Sequence, residues 1–305
     1  MTGDSTFLNA YDDLVREAAD VVSTENPHEC FNYAGQELNH DVSADISMLG
    51  LVSPFAVEPV TDTHVVSTVL HLEPALTDFS ETKMAYGGVV RYRADQEELY
   101  GSDYRDHGDS YYDGGPWMMP TNWMSEYYLE WADTMTSTAK IDKAKDYLDY
   151  VIGYLGNLGL GAEQIDENKR DTEFALETAW ANVWESNGKI IDNMMAFIDY
   201  QYDAPNNSIT VSPKLPSDWN HLGSHIQIKD GNLYIRVTKG TDQRLVDLDN
   251  NSSNNLSVDI YIQTDAQPTS VTGTSLNWSY DSATGRVKLY GTLNTSTSED
   301  ITINF

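Results

Sequence analysis

Cysteine occurs once in the 305 residues, at Cys30. A single thiol excludes an intrachain disulfide framework and a cysteine-built metal centre, and it reads as a small buried hydrophobe. Basic residues are scarce too: 18 Lys+Arg stand against 48 Asp+Glu, a formal net charge of −30. A field of that sign repels phosphate backbones, so no nucleic-acid partner is expected. Long apolar runs are missing as well. Nothing approaches the ~20 continuous apolar residues of a membrane-spanning helix, so no membrane partner is expected either. The opening MTGDSTFLNAYDDLVREAAD has neither the basic flank nor the apolar core of a secretory signal. The expected location is a salt-rich cytoplasm, unless an export signal lies on a preceding segment.

What is present is aromatic and acidic. Hydrophobic residues make up 40% of the chain and aromatics 11%, enough for real cores and too much for disorder. Asp outnumbers Glu by 31 to 17 and Lys numbers only 10. The carboxylates are scattered as a solvated coat suited to high salt, where screening removes most self-repulsion. A halophilic, acidic protein is the expectation.

Periodicity changes near residue 204. Before it, apolar residues recur at helical spacing. One face carries Phe7, Leu8, Tyr11, Leu14, Ala18 and Val22; a second carries Trp123, Met124, Tyr127, Tyr128, Trp131 and Met135. A third carries Ile141, Ala144, Leu148, Val151, Ile152 and Leu155, and ends at a glycine-rich stop. A further helix is expected from Phe174 or Leu176 to Tyr200, and shorter ones over Ala44–Leu51 and Thr61–Leu76. That makes six helices, or three helical hairpins. After Asp203 the period drops to two, as in Val258, Ile260 and Ile262 or Leu233, Ile235 and Val237. Asp230-Gly231, Lys239-Gly240 and Thr284-Gly285 supply turns. The expected organisation is a helical domain over 1–203 and an antiparallel β-sandwich over 204–305.

No nucleotide cradle, metal-binding HExxH or nucleophile elbow occurs. The acidic run Asp103–Asp113 lacks calcium-loop spacing and reads as a solvated loop. No cofactor and no metal are expected. Asn-x-Ser/Thr sites at Asn206, Asn250, Asn251 and Asn277 reflect an Asn/Ser-rich composition. Carboxylates and aromatics remain, the two materials of a sugar site. Glycoside hydrolysis needs two carboxyl groups about the scissile bond, and composition alone does not select them.

Five segments, making four motifs in order, supply the selection. GVVRYRAD at Gly88–Asp95, followed by GGPWMMPTNWMSEYYLEW at Gly114–Trp131, resembles the glucoamylases of glycoside hydrolase family 15. GYLGNLGLGAEQID at Gly153–Asp166 is similar to the family's segment ending in a Glu-Gln pair, and ETAWANVW at Glu177–Trp184 to the helix after it. DISMLGLVSPFAVEP at Asp45–Pro59 resembles an earlier stretch. The resemblance spans roughly Phe7 to Tyr202. It implies about three of the six hairpins of an (α/α)6 toroid, inverting hydrolysis of terminal α-linked glucose, and an α-glucan or oligosaccharide substrate.

Residue by residue, the resemblance makes Glu163 the general base. It places Arg91 and Tyr92 on sugar hydroxyls, Trp117 against the leaving-side sugar, Gln164 at the loop and Trp180 as a pocket wall. Trp117 and Trp180 also fit ordinary packing, and the stripe Trp123, Tyr127 and Trp131 reads as core. Many relatives follow the Trp at the position of Trp180 with Ser; Ala181 stands here. The general acid of the family, in a W-E-x-R-like segment, has no counterpart in this sequence. A half-toroid leaves apolar faces at its cut edges. A second polypeptide or another copy completing the ring is therefore expected. The alternative is a non-catalytic carbohydrate-binding or structural half-barrel.

Overall fold

The computed structural model describes residues 29–31, 37–40, 49, 52, 58–63, 65–66, 69–70, 88–89, 117–134, 137–156, 158–165, 176–178, 186–264 and 266–305. Elements in chain order are β1 (Glu29–Phe31), β2 (Glu37–His40), α1 (Met118–Thr134), α2 (Thr138–Gly153), β3 (Gln164–Ile165), β4 (Leu176–Thr178) and α3 (Gly188–Ile198). They continue as β5 (Tyr200–Asp203), β6 (Ser208–Val211), β7 (His221–Ile228), β8 (Gly231–Lys239), β9 (Gln243–Asn250) and β10 (Leu256–Gln263). The last are β11 (Ser270–Thr272), β12 (Asn277–Asp281), β13 (Arg286–Leu293) and β14 (Thr297–Asn304). The architecture is mixed α and β with a sandwich-like region. The chain forms two compact units, Met1–Tyr127 with Asp146–Ile190, and Tyr128–Lys145 with Ile191–Phe305.

In the first unit, α1 opens on Trp117, whose carbonyl accepts from the Thr121 amide at 3.2 Å and the Thr121 hydroxyl at 2.6 Å. Pro120 sits in the first turn, where a missing N–H costs nothing. The first turns of α1 bury apolar and small polar residues alike: Met118, Met124 and Tyr127, but also Thr121, Asn122 and Ser125. The Asn122 amide satisfies its own helix, donating to the Met118 carbonyl at 3.0 Å. In α2, Ile141, Ala144, Leu148 and Val151 are buried, the face their spacing implies.

The expected long helix to Tyr200 is shorter. Leu176–Thr178 is the strand β4, pairing with β3, and among the described residues the helical stretch is a π turn at 186–187 followed by α3 over Gly188–Ile198. Pairing with a distant segment overrides local helical spacing there. The helix stops because Asp199 takes a left-handed conformation, φ 44°. Asp tolerates this region better than most side chains. Strand β5 follows at once, four residues before the expected boundary. Of the shorter helices, residues 63, 65, 66, 69 and 70 are helical and Leu49 lies in a 3₁₀ turn. The expected helix through Phe7–Val22 lies outside the described residues. Beside those helical positions within the expected Thr61–Leu76 helix, three continuous α-helices are formed among the described residues.

The second unit contains both five-stranded sheets, ordered β12-β13-β10-β6-β5 and β11-β14-β9-β8-β7. Alternation explains the packing. Val258, Ile260, Ile262, Val287 and Leu289 from one sheet share a core with Leu233, Ile235, Val237, Val246, Leu248, Ile301 and Ile303 from the other. Their outward neighbours are mostly polar, Leu245 being an exception, as a two-layer sheet allows. One pair departs from the antiparallel expectation: β6 and β10 run parallel. The chain leaves β6 for the other sheet, completes β7–β9 there, and returns beside β6 in the same direction.

A buried cation ties this unit together. Lys214, 4% exposed, places Nζ 3.0 Å from both Asp133 Oδ2 and Asp199 Oδ2, and donates to the Ala196 carbonyl at 3.1 Å. Arg286 Nη2 lies 3.6 Å from Asp133 Oδ1 and donates to the Ala132 carbonyl at 3.0 Å. Desolvation raises the Asp133 carboxyl above its usual 3.8, opposed by the Lys214 charge.

Candidate functional site

The site is assembled in the first unit by backbone hydrogen bonds among residues far apart in sequence. The Trp117 amide donates to the Val89 carbonyl at 2.8 Å, an isolated antiparallel bridge. In return, the Val89 amide donates to the Thr121 hydroxyl at 2.9 Å. The next residue, Met118, donates its amide to the Glu163 carbonyl at 3.1 Å. Gln164 then pairs with Thr178 across β3 and β4. Four of the five segments quoted for the glucoamylase resemblance thus meet at the level of main chain.

The loop before Glu163 is shaped by glycine and held by side chains. Gly159 has φ +69°, which glycine adopts without strain. At Gly161 the neighbours leave no room: a Cβ would stand 2.5 Å from Met118 Sδ and 3.0 Å from Ser186 Cβ. Asn187 grips the loop twice, accepting from the Gly161 amide at 3.0 Å and donating to the Gly159 carbonyl at 2.7 Å. Ser186 donates to the Ala162 carbonyl at 2.6 Å. Ala162 and Ile165 are fully buried, whereas Glu163 between them is half-buried. A carboxylate on a clamped loop with part of its surface in solvent is suited to hold a water, provided a substrate carbon lies beyond it.

The expected residues fare differently. Glu163 and Trp117 are drawn together through the Met118 amide. Trp117 is 4% exposed, a packed indole at the start of α1. Gln164 is placed by its backbone in β3. Arg91, Tyr92 and Trp180 lie outside the described residues, as does Asp103–Asp113. Among the described residues no group of three or more His, Cys, Asp or Glu is arranged to hold a metal, and no helix is long and apolar enough to cross a membrane.

Sequence reasoning missed the role of Ser186 and Asn187, which form a π-helical turn leading into α3 within the expected helix. The signal available was Ser-Asn-Gly at 186–188, a turn-and-cap composition directly before an apolar run. It also missed the role of Glu126. That carboxylate accepts from Lys189 Nζ at 2.8 Å, with side chains 10% and 19% exposed. The ion pair spans α1 and α3 and commits Glu126 to structure.

No family model matches the chain. Over 148 residues it is 28% identical to an uncharacterized glycosyl hydrolase of Methanocaldococcus jannaschii, a match covering 47% of this chain and 21% of that protein. The matched stretch is thus about a fifth of the relative's length. At this coarse level the chain is glycoside hydrolase-like. Among solved structures, an alpha-L-rhamnosidase from Dictyoglumus thermophilum is similar at 10% identity and a TM-score of 0.38, over 59% of this chain and 21% of that one. A GH127 beta-L-arabinofuranosidase from Geobacillus stearothermophilus T6 is similar at 8% identity and a TM-score of 0.34, over 85% and 41%.

Proposed function

We propose that this chain is the base-bearing part of an inverting, glucoamylase-like glycoside hydrolase of family 15, acting on terminal α-linked glucose of an oligosaccharide or α-glucan. Glu163 takes a proton from the attacking water, which adds to the anomeric carbon. A general acid about 6.5–9.5 Å away protonates the departing glycosidic oxygen. Arg91 and Tyr92 bind hydroxyls of the sugar at the cleavage point. Trp117 and Trp180 wall the pocket, and Gln164 steadies the loop or touches sugar. The acid comes from a second polypeptide, or another copy, that completes a six-hairpin toroid. The protein works in the salt-rich cytoplasm that its acidic coat fits.

One observation carries the reading: Val89, Trp117, Glu163 and Thr178, from four of the five quoted segments, are linked through main-chain hydrogen bonds. Burial of Trp117 favours a second reading, a carbohydrate-binding or structural half that hydrolyses nothing. Glucose release from maltose and isomaltose separates the two, measured for the chain alone and mixed with a polypeptide carrying the missing hairpins. The enzyme reading expects activity in the mixture, with Glu163→Gln lowering turnover by about 10²–10⁴-fold. An active mixture that tolerates Glu163→Gln removes Glu163 from the chemistry. Sugar binding without turnover selects the second reading.

A further inference from the structure

A second feature lies in the other unit, at one end of the sandwich. The turns β5–β6, β7–β8 and β9–β10 enclose a cleft of about 500 Å³, lined by Asn207, Lys229, Ser253, Asn254 and Asn255 behind the Ala204-Pro205 rim. Hydrogen bonds between the three turns fix its shape. Asn207 sits in the left-handed region at φ 46°. Its Oδ1 accepts from the Tyr202 hydroxyl at 2.9 Å, and its Nδ2 donates to the Asn255 carbonyl. The Tyr202 hydroxyl also accepts from the Lys229 amide at 3.3 Å. Asn254 Nδ2 donates to Asp230 Oδ2 at 2.7 Å. Behind the wall, buried Asn250 donates to the Asn254, Leu293 and Asn294 carbonyls at 3.0–3.1 Å.

The lining side chains keep polar groups that these bonds do not use. Asp230 takes the Asn254 amide nitrogen, which leaves Asn254 Oδ1 as an acceptor. The Thr295 amide donates to Asn255 Oδ1 at 3.0 Å, which leaves Asn255 Nδ2 as a donor. Lys229 adds an ammonium. Every other described lysine has a partner. Lys140 and Lys143 lie over aromatic rings, Lys145, Lys189, Lys214 and Lys288 pair with carboxylates, and Lys239 bonds carbonyls. Lys229 Nζ alone has none among the described residues, in a protein with far more carboxylates than cations.

We propose that this cleft is a binding site for a neutral saccharide, separate from the Glu163 loop. Donors and an acceptor spaced across a small polar cleft match vicinal hydroxyls, each of which both gives and takes a hydrogen bond. Lys229 donates to two neighbouring oxygens of the sugar. The cleft has no aromatic floor, which disfavours a planar or lipidic ligand. A net charge of −30 disfavours a polyanion. The site anchors a sugar chain and takes no part in its cleavage, so it stands whether or not the chain is a hydrolase.

The test is chemical-shift mapping of the whole chain in molar KCl, titrated to tens of millimolar with maltotriose, with a β-linked glucose trisaccharide, and with glucuronate. The expected result is side-chain amide shifts at Asn207, Asn254 and Asn255 with one of the neutral sugars, with a dissociation constant on the order of 1 mM. Lys229→Ala weakens binding about tenfold or more, as loss of a charged hydrogen bond implies. Asn254→Ala weakens it too, and Glu163→Gln leaves it unchanged. Lys229 and Asn254 are exposed, so both variants fold, and the backbone spectrum verifies that. Absence of shifts at these amides with both neutral sugars overturns the site. Glucuronate binding there more tightly than either neutral sugar overturns the ligand class.

Discussion

Replacing Lys214 by Met removes the one charge between two carboxylates and keeps most of the volume. The Lys214 ammonium has three partners within 3.1 Å: Asp133, Asp199 and the Ala196 carbonyl. Breaking a fully buried pair from one side costs about 3–5 kcal/mol, because the remaining charge is stranded. Here the carboxylate side chains are 39% and 33% exposed, so water recovers part of that. We expect a loss of about 2–3 kcal/mol, or a fall in melting temperature of roughly 4–12 °C for a unit of this size. Acidity then modulates the deficit. Asp133 already titrates above its ordinary value in the folded state, chiefly through desolvation, and Lys214 is the main influence lowering it. A carboxyl raised on folding binds more protons folded than unfolded, so its cost is present at neutral pH and relieved as pH falls through the folded value. Without Lys214 the rise is larger, so the deficit shrinks as pH falls from neutral through the raised Asp133 value. Thermal unfolding by circular dichroism at fixed salt reads both effects, and Asp133→Asn in the variant background restores part of the loss. A deficit below about 1 kcal/mol, or one independent of pH, refutes the reasoning.

Two other outcomes follow from the geometry. Asn187→Ala removes both grips on the Gly159–Gly161 loop, costs about 1–2 kcal/mol, and speeds hydrogen exchange at the Gly161 amide while leaving sandwich amides protected. Carboxyl titration followed by NMR separates two aspartates: Asp133 titrates above 3.8, and Asp281 below it. The Ala283 amide at 2.9 Å and the Thr284 hydroxyl at 2.9 Å hold Asp281 in its charged form.

Local repetition made part of this molecule legible. Alternation in Leu233–Val237 and Val258–Ile262 recurs as buried and outward rows, and the spacing of Ile141 to Val151 recurs as the buried face of α2. Long-range main-chain choices were not legible. Leu176 and Thr178 spell a continuation of helix, yet they pair with Ile165 and Gln164. The parallel β6–β10 register depends on a crossing between sheets that no strand encodes. At the site, Glu163 is singled out only by the resemblance, on the segment in which a glycine-rich loop precedes a Glu-Gln pair. Ser186 and Asn187 act across 24 to 28 residues through side-chain-to-carbonyl bonds, which leave no periodic trace. The Lys214 cluster, drawn from four separate segments, left none either.

The central claim is that Glu163 activates a water on the face opposite the leaving sugar. The most direct measurement is the anomeric proton of glucose at first release, read by NMR within seconds of mixing maltotriose with the completed protein, so that the reducing end stays in the maltose product and the free glucose reports the cleaved bond. Attack from that face yields β-glucose first, with α-glucose appearing only by mutarotation. Initial α-glucose would mean a retained configuration and would contradict the account.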